Sequence, residues 1–597
     1  MHNDQNLNSE ISMIKRLFFG MVKNQVATAF CIMFSVIANG IFVGKFLGAK
    51  DMAAYGLVSP IYLLMSTIST TFAVGASTYC SMLIGKGNIK KAKEVFTTTA
   101  VSLTFLALAL TFSVIFFADE LCVIFGATGE NANLKENLKA YIYGFAPAFF
   151  AMGATLILIS LLYIEGAKKR ILISVVASTV VNIIGDLVNV LLVHGGLFGI
   201  AVATASSYYV SFIILALHYR NDTLLSLTRK NFSLKPLYEI ITLGFSNAVS
   251  RFCVFGRIFA INHLLASSFS QIALVAFSVR ANLDNLFVAV VIGIATTILT
   301  LGAVYVGEED KKSLHILYKL NIKYGLVIIV SLSLAVFVLA EPIALIYLSN
   351  YPEAVPETVR ALRFFVVSLP LYLIGLLYVS LCRIINKKFL STVICILEDF
   401  GFIIFFAYLL GYEIGLDGVW ISFLFGEIAT VIFIFISICK NCGHFPKTLD
   451  DLIMLPKDFD ESPKERLRLT IKNMDEVIKA SAEVHEFLLA QNVSKHNAYI
   501  MALSVEEMAG NIIRWSFESE KKNTISVYLV FKNDEWILRI RDDCKPFNPK
   551  KWAELSEAAQ EDPTKNIGLR MIMAVAKNIE YLNVLQINNL IIKVPQN

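Results

Sequence analysis

The chain has 597 residues, 56% of them hydrophobic and 17% charged, with a formal net charge of +5. Soluble globular domains carry about 25% charged residues, so charge this sparse over this length excludes an ordinary soluble enzyme and points to a membrane protein. The modest positive balance does not suit a nucleic-acid binder and is what Lys and Arg in cytoplasmic loops would supply.

The first residues, MHNDQNLNSE, are polar, and no short apolar core with a small-residue cleavage site follows them. The first apolar segment is therefore expected to act as its own insertion signal. A helix needs about 20 apolar residues to cross a bilayer, and such runs recur from Leu17 to Cys439. They predict twelve spans, near 18–43, 53–84, 95–118, 138–164, 171–193, 197–219, 237–266, 272–304, 314–340, 360–385, 389–411 and 416–439. Basic residues alternate with this count. Lys90, Lys91 and Lys93 follow the second span, Lys168, Lys169 and Arg170 the fourth, Lys230 and Lys235 the sixth, Lys311 and Lys312 the eighth, Lys387 and Lys388 the tenth, and Lys440 and Lys447 the twelfth. Lys45 and Lys50 are the main exception. By the positive-inside rule both termini are expected in the cytoplasm of a cell expected to hold the protein in its inner membrane.

GKGNIKKAKEVF follows the second span and GEEDKKSLHILYK the eighth, six spans apart. Two six-helix halves of one orientation are a transporter pattern with the substrate site between them. The expected organisation is a tail at 1–17, an N-lobe at 18–220, an inter-lobe loop at 221–236, a C-lobe at 237–440, a linker at 441–463 and a soluble domain at 464–597. The nine Cys are scattered, most of them inside apolar segments, and read as small buried hydrophobes. The lone CxxC of Cys439 and Cys442 has no second pair or His at metal spacing.

Beyond the linker the sequence reads as an α/β sandwich over a mixed sheet. RLRLTI is a strand, and helices follow near 473–491 and 495–518. TISVYLVFK and EWILRIRDD form a hairpin around Asn533-Asp534. A helix is expected from Asn566 to Lys577, and YLNVLQI and LIIKV are expected to turn at Asn588-Asn589.

Ionisable groups inside a bilayer cost about 2.5–3.5 kcal/mol each on insertion scales and ask for a reason. The candidates are Asp186 in span five, Arg251 and Arg257 in span seven, Arg280 and Asp284 in span eight, Glu398 and Asp399 in span eleven, and Glu427 in span twelve. Arg280 and Asp284 are four apart, share a helix face and are placed to pair. Internal salt bridges would explain such groups. Binding of a coupling proton or sodium ion, or of an ionic substrate, would equally do so, and carboxylates suit both cations.

The segments NGIFVGKFLGAKDMAAYGLVSPI, GKGNIKKAKEVF and NIIGDLVNVLLVHGGLFGIAVATASSYYVS resemble spans one, two, five and six of the MATE family of multidrug and toxic compound exporters. The resemblance covers residues 15–440 and implies cation-coupled antiport of organic cations by alternating access. Many relatives carry Asp where this chain has Asn39, and a neutral amide cannot exchange a proton. Asn39 is left to ligate an ion or polar substrate through its carbonyl.

Three segments carry the chemistry of the soluble domain. In VEEMAGNIIRW, Glu507 and Asn511 are four apart on one helix face, where a carboxylate and an amide can position water and a magnesium ion beside a phosphate. In RIRDDCKPFNP, Asp542 ends a strand, and in KNIGLRMI, Gly568 opens a helix whose free N–H groups suit phosphate. In this order they resemble the GHKL ATPase fold of histidine kinases, most closely the anti-sigma-factor serine kinases, over residues 464–597. That resemblance implies ATP with Mg2+ as ligands, Asn511 on the magnesium, Glu507 as general base, Asp542 on adenine and Gly568 in the phosphate lid. Cys544 and Asn566 stand where those kinases have Gly, and Trp515 where they often have His. Binding or docking is thus the weightier expectation than catalysis. No GxxxxGK[ST] pattern occurs, so ATP is not expected to drive transport.

The leading expectation is a monomeric secondary-active exporter of small organic cations in contact with membrane lipid, with a cytoplasmic domain that senses nucleotide or binds a regulatory protein. A flippase for lipid or lipid-linked glycan is the first alternative, kept by Arg251, Arg257 and Arg280. A membrane sensor coupled to an anti-sigma-like switch is the second.

Overall fold

The computed structural model describes residues 2–125, 134–220, 223–227, 232–348, 351–456, 459, 466–517, 524–532, 534–546, 548, 578–585 and 587–595. These form two compact units, one of residues 18–163 and 167–456 and the other of 1–17, 164–166 and 457–597.

Among the described residues eleven helices are long and apolar enough to cross a membrane, and the bent pair Lys135–Phe145 and Ala148–Ile164, counted as one span, makes a twelfth. The sequence predicts one continuous span there. The break falls at Ala146-Pro147 and bends the axis by 49°, because proline lacks the N–H of the helical ladder and its ring crowds the preceding turn. Phe105, Phe112 and Phe116 stand outward from Ile89–Phe116. An apolar face of that size needs lipid against it.

In the last turn of helix Lys168–Val193, Asn189 Oδ1 accepts from the Gly195 N–H at 3.0 Å while its Nδ2 donates to the Gly196 carbonyl at 2.9 Å. The amide thus satisfies backbone groups freed at the turn into Gly196–Arg220.

The two halves meet along glycines. A Cβ on Gly75 would lie 1.9 Å from the Ile240 carbonyl oxygen, and one on Gly244 would lie 2.1 Å from that of Thr71. At the end bearing the repeated basic loops the contact is reciprocal. A Cβ on Gly85 would lie 2.2 Å from the Val304 carbonyl oxygen, and one on Gly307 2.2 Å from that of Met82. Gly85 opens the first copy of the loop repeat and Gly307 the second, so matching positions of the halves pack on each other. Within the segment expected as linker, Leu449–Ile453 is helical, capped by Thr448, and Asp450 pairs with Lys311 at 2.5 Å.

Among the described residues the second unit is an antiparallel sheet carrying two helices. Its elements are β1 (Arg466–Ile471), α1 (Met474–Ala490), α2 (Lys495–Ser516), β2 (Ile525–Lys532), β3 (Glu535–Asp542), β4 (Asn578–Val584) and β5 (Ile587–Pro595). Asn473 and Ser494 cap the helices by accepting from the Glu476 and Asn497 amides. Val477, Val484, Leu488, Met501, Val505 and Ala509 of the helices share one core with Leu529, Leu538 and Ile592 of the sheet. Trp536 is buried there with an edge-on contact to Phe487.

Strand order is β1-β2-β3-β5-β4 and every described pairing is antiparallel, where the sequence reading expected a mixed sheet. Hairpin connections join β2 to β3 and β4 to β5, and hairpins can only be antiparallel. The second turn falls at Leu585, with φ of 59°, and not at Asn588-Asn589. Asn588 lies inside β5, opposite Asn583 on one side and Asp542 on the other. The Asn pair suggests a turn by composition, but register places it in the ladder. The expected helix over 566–577 lies outside the described residues. Within this unit Arg16 donates to Asp543 Oδ2 at 2.7 and 3.0 Å, and the Leu585 amide donates to the Ile164 carbonyl at 2.7 Å.

Candidate functional sites

A cavity of about 340 Å³ opens within the N-lobe. Its wall includes five aromatic rings, Tyr55, Tyr62, Tyr141, Phe145 and Tyr208, among aliphatic and hydroxyl side chains, and Ser35, Asn39, Asn182 and Thr204 lie on its polar side. Asp186 lies behind that polar side and is fully buried. The amide orientation of Asn39 that satisfies its surroundings puts Nδ2 2.8 Å from Asp186 Oδ2, 2.7 Å from Asn182 Oδ1 and 3.1 Å from the Ser35 carbonyl. Asn39 Oδ1 then accepts from Thr204 Oγ1 at 3.1 Å. Asn39 thus hands the carboxylate a hydrogen-bond donor where an Asp would hand it a second charge. The other oxygen, Asp186 Oδ1, is buried with no partner among the described residues. A lone carboxylate oxygen in that position is chemically a seat for one small cation or proton. Sequence reasoning named Asp186 and Asn39 as candidates and did not name Asn182, Thr204 or the tyrosines beside them. Asn182 is one helical turn before Asp186, a spacing that puts both on one face.

The C-lobe candidates are arranged differently from expectation. Asp284 pairs with Arg257 of another helix at 3.6 Å, and no Arg280–Asp284 ion pair occurs among the described residues. Arg280 instead stacks on Phe423, with its guanidinium carbon 3.4 Å from the ring centre, and lies 4.8 Å from that of Phe365. Sharing a helix face permits a pair, but an aromatic face across the gap took the planar cation. Asp399 accepts from Ser250 Oγ at 2.5 Å, and Arg251, half-buried, lies within electrostatic reach of it. Glu398, Asp399 and Glu427 are buried and each keeps one oxygen without a hydrogen bond among the described residues. Glu398 packs against Gly375, where a Cβ would lie 1.9 Å from its Oε1. No cluster of three metal-ligating side chains occurs among the described residues.

In the second unit Asn511 of α2 and Asp542 of β3 line one small pocket with Met508, Ile540, Lys545, Tyr581 and Asn588. Glu507 is half-buried one turn before Asn511 and is outside the pocket wall. Gly568 and Asn566 lie outside the described residues. Asp542 is 3% exposed, and its Oδ1 accepts from the Cys544 N–H at 2.9 Å and from Asn588 Nδ2 at 2.8 Å. Burial pushes its carboxyl above the usual carboxylate range, while those two hydrogen bonds pull it back. The pocket thus offers a side-chain amide, a buried carboxylate acceptor and an apolar floor. If the domain binds Mg2+, Asn511 is the side chain that would hold it, and the ion would supply positive charge to a phosphate.

A family model described as MatE matches residues 26–188 and 247–409, more than half of the chain, and one described as histidine kinase-like ATPase domain matches 472–592. The multidrug export protein MepA of Staphylococcus aureus is 22% identical over 407 residues, which are 67% of this chain and 88% of that protein. MepA of Staphylococcus saprophyticus is 24% identical over 420 residues, 70% and 91% of the two chains. Among solved structures, a MOP superfamily transporter from Pyrococcus furiosus, whose binding pocket is described as of reversed polarity, superposes with a TM-score of 0.67 at 22% identity. It covers 73% of this chain and 97% of that one.

Proposed function

We propose that this chain, which belongs to the MatE family of multidrug exporters and carries a histidine kinase-like ATPase domain at its C-terminus, exports small amphipathic organic cations by H+ or Na+ antiport. The observation that carries the reading is the N-lobe cavity: five aromatic rings in its wall, which attract a delocalised cation, beside a polar side backed by the unpartnered oxygen of Asp186. One buried carboxylate oxygen cannot serve a coupling ion and a cationic cargo together, so each displaces the other and the two fluxes are coupled in opposite directions. Alternating access then follows from rocking of the two six-helix halves. The basic loops favour the inner membrane, with both termini in the cytoplasm.

The soluble domain is proposed to bind ATP with Mg2+ and to regulate export. Support comes from residues 1–17 and 164–166, which belong to the same compact unit as the domain and run on directly into membrane helices. The flippase alternative needs guanidinium groups facing a wet cavity. Arg280 is 3% exposed against Phe423 and Arg257 is 8% exposed beside Asp284, which weakens it.

The test is efflux of a fluorescent organic cation from proteoliposomes under an imposed proton or sodium gradient, with and without ATP on the domain's side. Gradient-driven efflux by the wild type that is abolished in Asp186→Asn at unchanged expression is the expected result. Efflux of wild-type rate in that variant would remove Asp186 from coupling. No efflux under any gradient would leave the sensor reading in its place.

A further inference from the structure

We infer that the ion pair of Arg16 with Asp543 is a releasable joint through which the soluble domain acts on the first membrane helix, and that a ligand in the domain's pocket sets this joint. The trigger rests on the proposal that the domain binds nucleotide; the joint itself does not.

Two contacts tie the domain to the ends of membrane helices, and both fall at the pocket end of its sheet. Asp543 directly follows Asp542, the pocket residue that closes β3. Leu585 lies in the turn from β4 to β5, just before the pocket residue Asn588. At the first contact, Asp543 Oδ2 accepts from Arg16 Nε at 3.0 Å and Nη2 at 2.7 Å. Arg16 Nη1 donates to Ser12 Oγ at 3.1 Å, one helical turn earlier, which aims the guanidinium. Asp543 is 16% exposed, and its Oδ1 is buried with no hydrogen bond among the described residues. Arg16 therefore compensates this carboxylate, and without it Asp543 must shift toward water or another donor. Arg16 is 41% exposed, so its guanidinium passes into water readily. The pair holds the segment next to the pocket, yet one partner is free to leave.

The second contact is of the opposite kind. The Leu585 amide donates at 2.7 Å to the carbonyl of Ile164, one of the carbonyls left free at the end of helix Ala148–Ile164. Both residues are buried, and Leu585 holds a φ of 59°, a region uncommon for a bulky side chain. Strain of this kind persists where surrounding contacts fix it. Leu585–Ile164 is the pivot, and Arg16–Asp543 is the joint that opens. The helix bearing Arg16 runs unbroken from His2 to Phe42. Its 23 steps from Arg16 to Asn39 (39 minus 16), at 1.5 Å each, span about 35 Å. Asn39 is the residue that gives Asp186 its hydrogen bond. A hydrogen-bonded rod carries a tilt from one end to the other, so freeing Arg16 loosens the hold of Asn39 on Asp186. A nucleotide at Asp542 restrains the adjoining Asp543 and thereby biases the joint.

The experiment is amide hydrogen exchange on the full-length protein in micelles, read on peptides from 10–20 and 30–42, with and without ATP and Mg2+. It compares wild type, Arg16→Gln, Asp543→Asn, the double variant carrying both, and the charge reversal Arg16→Asp with Asp543→Arg. Each single variant should speed exchange in both peptides by about two- to fivefold, the population change that a partly exposed ion pair imposes. The double variant should exchange no faster than either single one, because the two changes remove the same contact. The charge reversal should return exchange toward the wild-type rate. Peptides from α2 should be unchanged throughout, which separates an opened joint from a domain that has failed to fold. ATP should alter exchange in 30–42 in the wild type and in neither single variant. Faster exchange in 10–20 with 30–42 unchanged would show a contact without transmission and overturn the inference. Additive effects in the double variant, or an ATP effect that survives in both single variants, would do the same. Wild-type protein indifferent to ATP, with the variants behaving as expected, would support the joint and remove the nucleotide-binding proposal instead.

Discussion

The glycine contact at the looped ends of the two lobes sets a measurable quantity. In Gly307→Ala the new Cβ would start 2.2 Å from the Met82 carbonyl oxygen, and ordinary contact begins at 3.4 Å. The helices must therefore part by roughly 1.2 Å at this crossing (3.4 minus 2.2), because the opposing atom is backbone and cannot turn aside. Overpacking of that kind costs about 1–3 kcal/mol. If alternating access separates the lobes here, the cost falls on this closed arrangement and not on the open one. The open-to-closed ratio should then rise about 5- to 150-fold. Gly85→Ala should act alike, since its Cβ would meet the Val304 carbonyl oxygen at the same 2.2 Å. Amide hydrogen exchange followed by mass spectrometry on peptides from 76–88 and 302–312 reads this directly, because exchange of buried helical amides follows the population of the opened form. Faster exchange in both peptides, with the core of the soluble domain unchanged, is expected. Unchanged exchange in both variants would refute the claim that these helices separate during the cycle.

Two further outcomes follow from buried charge. Arg257→Met removes the partner of Asp284 and leaves a carboxylate in the lobe interior, a change that costs about 3–5 kcal/mol when fully buried and less at the 21% exposure of Asp284. Thermal unfolding in micelles should show the loss, and adding Asp284→Asn should restore most of it; a double variant no more stable than Arg257→Met would show that the pair is not coupled. In the soluble domain, burial raises the Asp542 carboxyl, so the folded state holds its proton to higher pH than the unfolded chain does. The protonated form thus contributes stability that is present below about pH 3.9, the unfolded value, and is lost as pH rises through the folded value. Asp542→Asn should accordingly unfold later than the wild type at pH 7, with the difference shrinking toward pH 4, while losing nucleotide binding. Equal melting of the two proteins at pH 7 would count against a strained carboxylate at this position.

Much of this protein was legible in its sequence because a bilayer permits few solutions. Backbone polar groups in lipid must be satisfied within the chain, so apolar runs of spanning length read as helices. The span expected at 138–164 bends at Pro147, a signal that was present and local. The strands and the two described helices of the C-terminal domain were likewise local. Which residues meet was not local. Asp284 had an Arg one turn away on its own helix and another on a neighbouring one, and only packing chose Arg257 and left Arg280 to Phe423. Asn588 read as a turn until strand register set it opposite Asp542. The tyrosine-walled cavity draws on helices far apart in the chain. The sequence by itself determined the solvent each segment belongs to and the elements it forms, since both depend on neighbouring residues. The pairing of buried charges and the shape of each site came only with the tertiary structure, because a desolvated group takes the partner that packing brings within reach.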